Sequence, residues 1–203
     1  MIAQLEQAAR RPVSRDTFER LEAFVALLKA ANARQNLVSA STLEDVWNRH
    51  ILDSAQLVRF EPHAGASWAD VGSGAGLPGI VIACLVDGPV TLIEPRRLRA
   101  DFLQAAVEQL GLNATVAAMK VERVIGQFDV ITARAVAPLD RFLEISQHLS
   151  TRNTVWALPR GRNAHSELVE ARRAWQGVFH VEQSVTDAES YIVVGTGVRA
   201  KTR

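Results

Sequence analysis

The chain has 203 residues, of which 48% are apolar and 22% charged, and its formal net charge is +1. This length suits one α/β domain with a modest appendage. Because the sequence has no long apolar run and no apolar leader, we expect no membrane span and no signal peptide. A single cysteine, Cys84, excludes an intramolecular disulfide framework and a cysteine zinc cluster, so we expect a cytoplasmic enzyme or binding protein without a metal.

The first sixty-odd residues have helical patterns. Over residues 14–36 apolar side chains recur every three or four positions, which predicts an amphipathic helix whose N-cap is Ser14 or Asp16. A second helix is predicted to begin at Thr42 and to continue to Phe60. We therefore assign residues 1–64 to a helical extension packed on a second unit, residues 65–203.

From Trp68 onward, short apolar runs alternate with helical patterns. Seven such runs are present, and near-continuous apolar strands alternating with helices indicate an α/β fold with a mostly parallel sheet that is covered on both faces. The last two strands are separated by a short polar turn, which predicts an antiparallel hairpin at the sheet edge.

The stretch DVGSGAGLPG lies between the first predicted strand and its helix. Its glycines fit two spacings, G-x-G-x-G at Gly72, Gly74 and Gly76, or G-x-G-x-x-G ending at Gly79. Both spacings permit a tight turn and the close approach of a ligand to the backbone. Glu94 ends the second strand, where a carboxylate can accept hydrogen bonds from the ribose hydroxyls of an adenosine.

Two cofactor classes use such a loop, dinucleotides and S-adenosylmethionine. A pyrophosphate needs a free helix N-terminus, but Pro78 occupies the start of the helix here. Asp70, two residues before the first glycine, suits the ammonium group of a methionine better than a diphosphate. The loop favours S-adenosylmethionine, with a nicotinamide-dependent oxidoreductase as the alternative.

Three stretches together resemble one family: NLVSASTLEDVWNRHILDS, DVGSGAGLPGIVIA and ITARAVAPL. They are similar to the bacterial 16S rRNA 7-methylguanosine methyltransferases, also called the glucose-inhibited division protein B (RsmG/GidB) family. The resemblance implies a class I methyltransferase, Rossmann-like fold that uses S-adenosylmethionine. It further implies methylation at N7 of the guanine numbered 527 in 16S rRNA, free or in the small ribosomal subunit, by a monomer.

The resemblance also implies site residues. The family's cofactor contacts fall on Gly72, Leu77, Val121, Glu122 and Arg134, with Glu94 on the ribose. Many members carry a lysine-glycine pair at the end of the fifth strand, where this chain has Pro159, Arg160 and Gly161. We expect Arg160 to keep a positive charge facing the substrate.

The expected chemistry needs no general base, because guanine N7 has a lone pair and attacks the sulfonium methyl directly, provided that the atoms are held in line. Arg134 and Asp53 are the candidate catalytic residues, for positioning or for stabilising the cationic product. The alternative for Asp53, together with His50, is a packing pair that joins the N-terminal helices to the sheet.

Arginine supplies 20 of the 23 positive residues and occurs in clusters, and its planar fork suits phosphate. The candidate RNA contacts are Arg160, Arg162, Arg199, Lys201 and Arg203, although solvated helix faces produce the same pattern. A non-catalytic, adenosylmethionine-binding ribosome-assembly factor is the remaining alternative.

Overall fold

The structure is a computed structural model that describes residues 1–202. Its helices are α1 (Ile2–Ala9), α2 (Arg15–Gln35), α3 (Ala40–Glu44), α4 (Asp53–Ala55), α5 (Gly79–Leu85), α6 (Arg97–Leu110), α7 (Leu139–Ser146) and α8 (Ala164–Ala174). Its strands are β1 (Trp68–Val71), β2 (Val90–Ile93), β3 (Ala114–Ala117), β4 (Val130–Thr132), β5 (Val155–Arg160), β6 (Trp175–Gln183) and β7 (Tyr191–Ala200). From β1 onward, the predicted order of strands and helices is confirmed.

The seven strands form one sheet in the order β3-β2-β1-β4-β5-β7-β6. All neighbouring pairs are parallel except those of β7, which runs antiparallel to both β5 and β6. The mostly parallel sheet and the antiparallel hairpin at its edge are therefore confirmed. Helices cover both faces, since α5 and α6 belong to one buried apolar cluster and α7 and α8 to the other.

The long N-terminal helix α2 begins as its sequence predicts. Of the two candidate N-caps, Ser14 is the one that caps, because its Oγ accepts a hydrogen bond from the Thr17 N–H at 3.1 Å. The apolar stripe of α2 is buried, and the helix packs against α5 and α6. The helical segment therefore lies on the face of the sheet that carries these two helices.

The prediction of one regular helix from Thr42 to Phe60 is wrong. The chain forms α3, a π-helical turn over Trp47–Leu52, the single turn α4, and a 3₁₀ turn over Gln56–Phe60. Ser39 caps α3 through the Thr42 N–H. The π turn places the buried ring of His50 beside Arg134, just after β4, and turns of this type are frequent at functional sites.

Side chains alternate along β1, so that successive residues point to opposite faces of the sheet. Trp68 belongs to the apolar cluster under α5 and α6, whereas Ala69 and Val71 belong to the cluster under α7 and α8. Asp70 shares the face of Trp68 and is buried. Its carboxylate consequently lies beneath the start of α5.

Candidate active site

A cavity of about 540 Å³ opens at the carboxyl ends of β1, β2 and β4. The strand order reverses at β1, which lies between β2 and β4, and such switch points leave a crevice in which ligands of doubly wound sheets bind. Seven of the predicted cofactor residues line it: Gly72, Gly74, Leu77, Glu94, Val121, Glu122 and Arg134. The structure thus brings together residues that are distant in sequence.

The glycine loop adopts backbone conformations that favour glycine. Gly72 has φ +71° and Gly74 has φ +54°, both in the left-handed region that is costly for other residues. A Cβ atom on Gly72 would lie 2.6 Å from Cγ2 of Val136, which follows β4. The loop therefore stays close to the segment after β4 because no side chain intervenes.

Glu94 is buried directly after β2, and its carboxylate lines the cavity. Its Oε2 accepts the N–H of Gly74 at 3.0 Å, and its Oε1 accepts the N–H of Arg96 at 2.8 Å. A carboxylate has about four acceptor sites, so two remain for a ligand. The two backbone bonds fix Glu94 as an acceptor that is oriented before any ligand arrives.

The cavity has apolar walls and a charged rim. Leu77 and Val121 are buried cavity-lining side chains, whereas Glu122 is exposed at the 3₁₀ turn Val121–Arg123. This combination suits a ligand with an apolar planar part and polar ends.

Arg134 lies just after β4 and lines the cavity. Its Nη1 lies 3.4 Å from Oδ2 of Asp53, and its Nη2 lies 3.2 Å from Nδ1 of His50. Because a guanidinium only donates, Nδ1 of His50 accepts and its Nε2 carries the hydrogen, which it donates to Oγ1 of Thr42 at 3.0 Å. Burial, and then the Arg134 charge, lower the pKa of His50 to about 4.

Asp53 connects the N-terminal helices to the turn between β6 and β7. Its Oδ1 accepts hydrogen bonds from Gln56 Nε2 at 2.9 Å, from Thr186 Oγ1 at 3.0 Å and from Ser184 Oγ at 3.4 Å. His50 and Asp53 therefore make the packing contacts that were the alternative interpretation of this pair. Asp53 also borders a second cavity, of about 260 Å³, which meets the first at Arg134 and Ala135.

The structure does not bring Asp70, predicted to face a ligand ammonium group, to the cavity. Its Oδ2 accepts the N–H of Gly79 at 3.0 Å, at the start of α5, and Asp70 does not line the cavity. Burial raises the pKa of Asp70 to about 6. The acid holds the glycine loop to α5 from beneath, as the alternation along β1 requires.

Gly76 is also not a cavity residue, contrary to its predicted role. A Cβ atom there would lie 2.6 Å from Cγ1 of Ile80 and 3.3 Å from Cδ2 of Leu103. The third glycine of the loop therefore serves close packing against α5 and α6. The first two glycines face the cavity.

Arg160, predicted to face the substrate, is not on the exposed surface, and its Nε and Nη2 are buried without a hydrogen-bond partner. Its side chain is only 5% exposed, its Nε lies 3.6 Å from Oε2 of Glu167, and its guanidinium lies over the Phe142 ring at 5.7 Å. β5 ends at this residue, and its pairing with Tyr191 of β7 places it inside the sheet layer. Arg160 borders a small cavity of about 350 Å³ that also contains Arg134.

The remaining predicted RNA contacts do not form one surface. Arg162 is exposed near the cavities, 3.3 Å from Glu189. Arg199 and Lys201 are exposed at the other end of β7, and ten residues of extended chain from Tyr191 separate them from the ligand edge by roughly 30 Å. Arg203 lies outside the described residues.

Several cavity residues were not predicted. Arg99 and Lys120 supply positive charge near Glu94 and Glu122, and Ala135 and Val136 extend the wall after β4. Leu37 and Val38 come from the segment between α2 and α3. Leu37 and Val38 lie in the NLVSAS stretch that carries part of the family resemblance, but periodicity does not identify them as cavity residues, because only tertiary packing brings the N-terminal segment to the cavity.

Other chemistries find little support in the described part of the chain. Cys84 is buried in α5, and burial raises the pKa of its thiol to about 12, so it is a poor nucleophile. Within residues 1–202, no helix combines the length and apolarity needed to span a membrane, and no group of three or more His, Cys, Asp and Glu side chains is arranged to bind a metal ion.

Solved structures show the same fold at low sequence identity. TYW2 of M. jannaschii, in complex with AdoMet, is similar with a TM-score of 0.59 and 13% identity, covering 81% of this chain and 78% of that one. The tRNA methyltransferase TrmK of B. subtilis has a TM-score of 0.57 and 19% identity, over 71% of this chain and 65% of that one. These likenesses confirm the class I methyltransferase fold.

Other proteins match this chain at much higher sequence identity than these solved structures do. The family GidB, described as rRNA small subunit methyltransferase G, matches residues 17–192. Ribosomal RNA small subunit methyltransferase G of Erythrobacter litoralis is 48% identical over the full length of both chains, and that of Zymomonas mobilis is 46% identical over 93% of this chain and 90% of its own. Neither the oxidoreductase nor the non-catalytic alternative gains support from these matches. The chain belongs to the rRNA small subunit methyltransferase G family.

Proposed function

We propose that the protein transfers a methyl group from S-adenosylmethionine to N7 of a guanine in 16S rRNA. The observation that carries the proposal is the cavity at the switch point, where the glycine loop and the buried carboxylate of Glu94 face the same space. The family and its relatives, named for small-subunit rRNA, supply the substrate class. We further propose that the protein acts as a monomer on the rRNA or on the small subunit.

The residues of the cavity fit an adenosyl group. Gly72 and Gly74 leave the loop without side chains, and Glu94 has two acceptor sites free beyond its backbone bonds. A ribose offers two neighbouring hydroxyl donors to such a carboxylate. Leu77 and Val121 supply apolar surface for a planar base.

A diphosphate fits less well. The pyrophosphate of a dinucleotide is held by free N–H groups at a helix N-terminus. At the start of α5, Pro78 has no N–H, and the N–H of Gly79 is bonded to Asp70. This end of the helix is therefore already neutralised by a carboxylate of the protein.

The proposed reaction requires the protein mainly to position the base and the cofactor. Bound S-adenosylmethionine supplies an electrophilic methyl group, and guanine N7 has a lone pair that needs no deprotonation. No side chain has to remove a proton, so the residues need only hold the base and exclude water. We propose that Arg134, at the junction of the cavities, positions the base and that Asp53 stabilises the positive charge that develops on it.

We propose that the helical segment of residues 1–64 contributes to the rRNA-binding surface. It supplies Leu37 and Val38 to the cofactor cavity and His50 and Asp53 to the Arg134 network. Among the predicted basic contacts that the structure describes, Arg162 is the one that is exposed on this side of the sheet. The proposed RNA surface therefore surrounds the openings of the cavities.

The test combines calorimetry with methyl transfer. We expect purified protein to bind S-adenosylmethionine but not NADH, and to label small subunits from a strain that lacks the modification. In Glu94→Gln one acceptor oxygen becomes a donor, so we expect the dissociation constant of the cofactor to rise ~10-fold or more. Asp101→Asn, which removes an exposed carboxylate from α6, is the matched control. Binding of NADH alone contradicts the proposal.

A further inference from the structure

The second cavity adjoins the cofactor cavity and has no assigned ligand. Its volume of about 260 Å³ is roughly half that of its neighbour, and the two share Arg134 and Ala135. The second cavity is enclosed by the π turn containing His50, by Asp53 and by the turn that carries Thr186. A planar group in this space has one edge next to the cofactor cavity.

Arg134 and Asp53 both retain hydrogen-bonding capacity toward this space. Arg134 uses one N–H toward His50 and one toward Asp53, and a guanidinium has five N–H groups. Asp53 Oδ1 accepts three hydrogen bonds, whereas its Oδ2 has only the long 3.4 Å contact with Arg134. The oxygen of Asp53 that can accept further hydrogen bonds is therefore Oδ2, which is the one that contacts Arg134.

The order of these groups matches the edge of a guanine. Around the guanine ring the acceptor N7 is followed by the acceptor O6 and then by the donor N1–H. If N7 faces the cofactor cavity, O6 meets the next group, the donor Arg134, and N1–H meets the acceptor Asp53 behind it. We propose that the second cavity is the pocket for the target base, in which Arg134 and Asp53 recognise O6 and N1–H of guanine.

The same order rejects adenine. An adenine amino group would face the donors of Arg134, and its unprotonated N1 would face the carboxylate of Asp53, so both contacts become repulsive. The small cavity beside Arg160 offers less for a base. It is lined by two cations, Arg134 and Arg160, and its carboxylate, Glu167, is engaged by Arg160 and by the Leu139 N–H, while the rest of its wall is alanine, valine, proline and glycine.

This inference rests on the proposed function. Its test compares the rates at which the protein methylates three different acceptor bases. Small subunits are reconstituted with 16S rRNA that carries guanine, hypoxanthine or 2-aminopurine at the mapped target. All three bases keep N7, hypoxanthine keeps O6 and N1–H, and 2-aminopurine lacks both. We expect kcat/KM of the wild-type protein to fall less than ~3-fold for hypoxanthine and ~100-fold for 2-aminopurine, because a buried site penalises lost hydrogen bonds.

Asp53→Asn separates recognition from a structural role. The asparagine Oδ1 can keep the three existing bonds, whereas its NH₂ group meets N1–H as a second donor. We expect kcat/KM for guanine to fall ~10- to 100-fold and the ratio of guanine to 2-aminopurine to shrink at least ~10-fold. Unchanged thermal unfolding and an unchanged dissociation constant for S-adenosylmethionine show that the fold and the cofactor site are intact, and Asp101→Asn is the control.

The outcomes are distinct. Equal methylation of guanine and 2-aminopurine by the wild-type protein overturns the pocket assignment while leaving the methyltransferase proposal in place. The same follows if Asp53→Asn lowers all rates but keeps the full discrimination, because Asp53 then only supports the structure. Failure of the wild-type protein to methylate the guanine particle contradicts the proposed function and the pocket together.

Discussion

The Nη2 atom of Arg134 lies 3.2 Å from Nδ1 of His50, so a residue at the end of β4 is held by a neutral histidine from the N-terminal helices. The direction of the hydrogen bonds is fixed along the whole chain of groups. Arg134 donates to His50, His50 donates to Thr42, and the Thr42 hydroxyl donates to the carbonyl of Ser39. Protonation of His50 breaks the first of these bonds.

We predict that His50 stabilises the protein only while it is neutral. Its folded pKa of about 4 lies below the ordinary 6.5, so its contribution is complete above pH 6.5 and is lost as the pH falls toward 4. We expect the stability difference between the wild-type protein and His50→Asn to shrink by about 1–2 kcal/mol over this range, after allowance for solvent screening. Urea unfolding at several pH values measures it, and a constant difference contradicts the account.

We predict the opposite pH dependence for Asp70. Its folded pKa of about 6 is above the ordinary 3.8, so its contribution is largest below pH 3.8 and is lost as the pH rises through 6. Asparagine keeps an acceptor for the Gly79 N–H and does not titrate. The free energy of unfolding of Asp70→Asn, relative to wild type, is expected to rise by about 2 kcal/mol between pH 4 and pH 7.

Asp101→Asn is the matched control for this measurement, since it removes an exposed carboxylate. A relative stability of Asp70→Asn that stays flat or falls with pH shows that burial of the Asp70 charge is not costly.

We predict that Gly72→Ala destabilises the loop for two separable reasons. The left-handed φ of +71° costs an alanine about 1–2 kcal/mol, and the new Cβ meets Cγ2 of Val136 at 2.6 Å. The double variant Gly72→Ala/Val136→Ala removes the contact but keeps the backbone cost. A double-mutant cycle in urea is expected to show positive coupling of about 1 kcal/mol, and additive effects refute the close approach.

We predict that the basic residues differ in their effect on RNA binding. The plot of log affinity against log salt has a negative slope, and Arg162→Gln is expected to make this slope shallower by about 1, as the loss of one phosphate contact requires. Arg199→Gln, at the far end of β7, is expected to leave this slope unchanged. Filter binding to 16S rRNA across a salt series compares the two, and equal effects of both variants contradict the assignment.

Local patterns predicted the sheet well because its strands are short, apolar and separated by helical periods. The loop at Gly72, the carboxylate of Glu94 and the arginine at position 134 could be located because each follows a strand of a parallel sheet. The pairing of β7 between β5 and β6 required the structure. A short turn predicts a hairpin but does not say which of its strands joins the sheet.

The failures have physical causes that lie outside local sequence. Asp70 is predicted to meet an ammonium group because it precedes the glycine loop, and Arg160 to face the substrate because many relatives carry a lysine there, but in the structure Asp70 Oδ2 accepts the Gly79 N–H and the buried Arg160 lies 3.6 Å from Glu167. Leu37 and Val38 reach the cavity only because the N-terminal helices pack over it. Periodicity carries no information about such contacts between distant segments.

The most direct test of the central claim identifies the methylated base in the product. Small subunits from a strain lacking the modification are incubated with the protein and methyl-labelled S-adenosylmethionine, and the 16S rRNA is digested to nucleosides and mapped by mass spectrometry. The account predicts label in 7-methylguanosine at a single position of 16S rRNA. Label in any other nucleoside, or label distributed over many guanines, contradicts it.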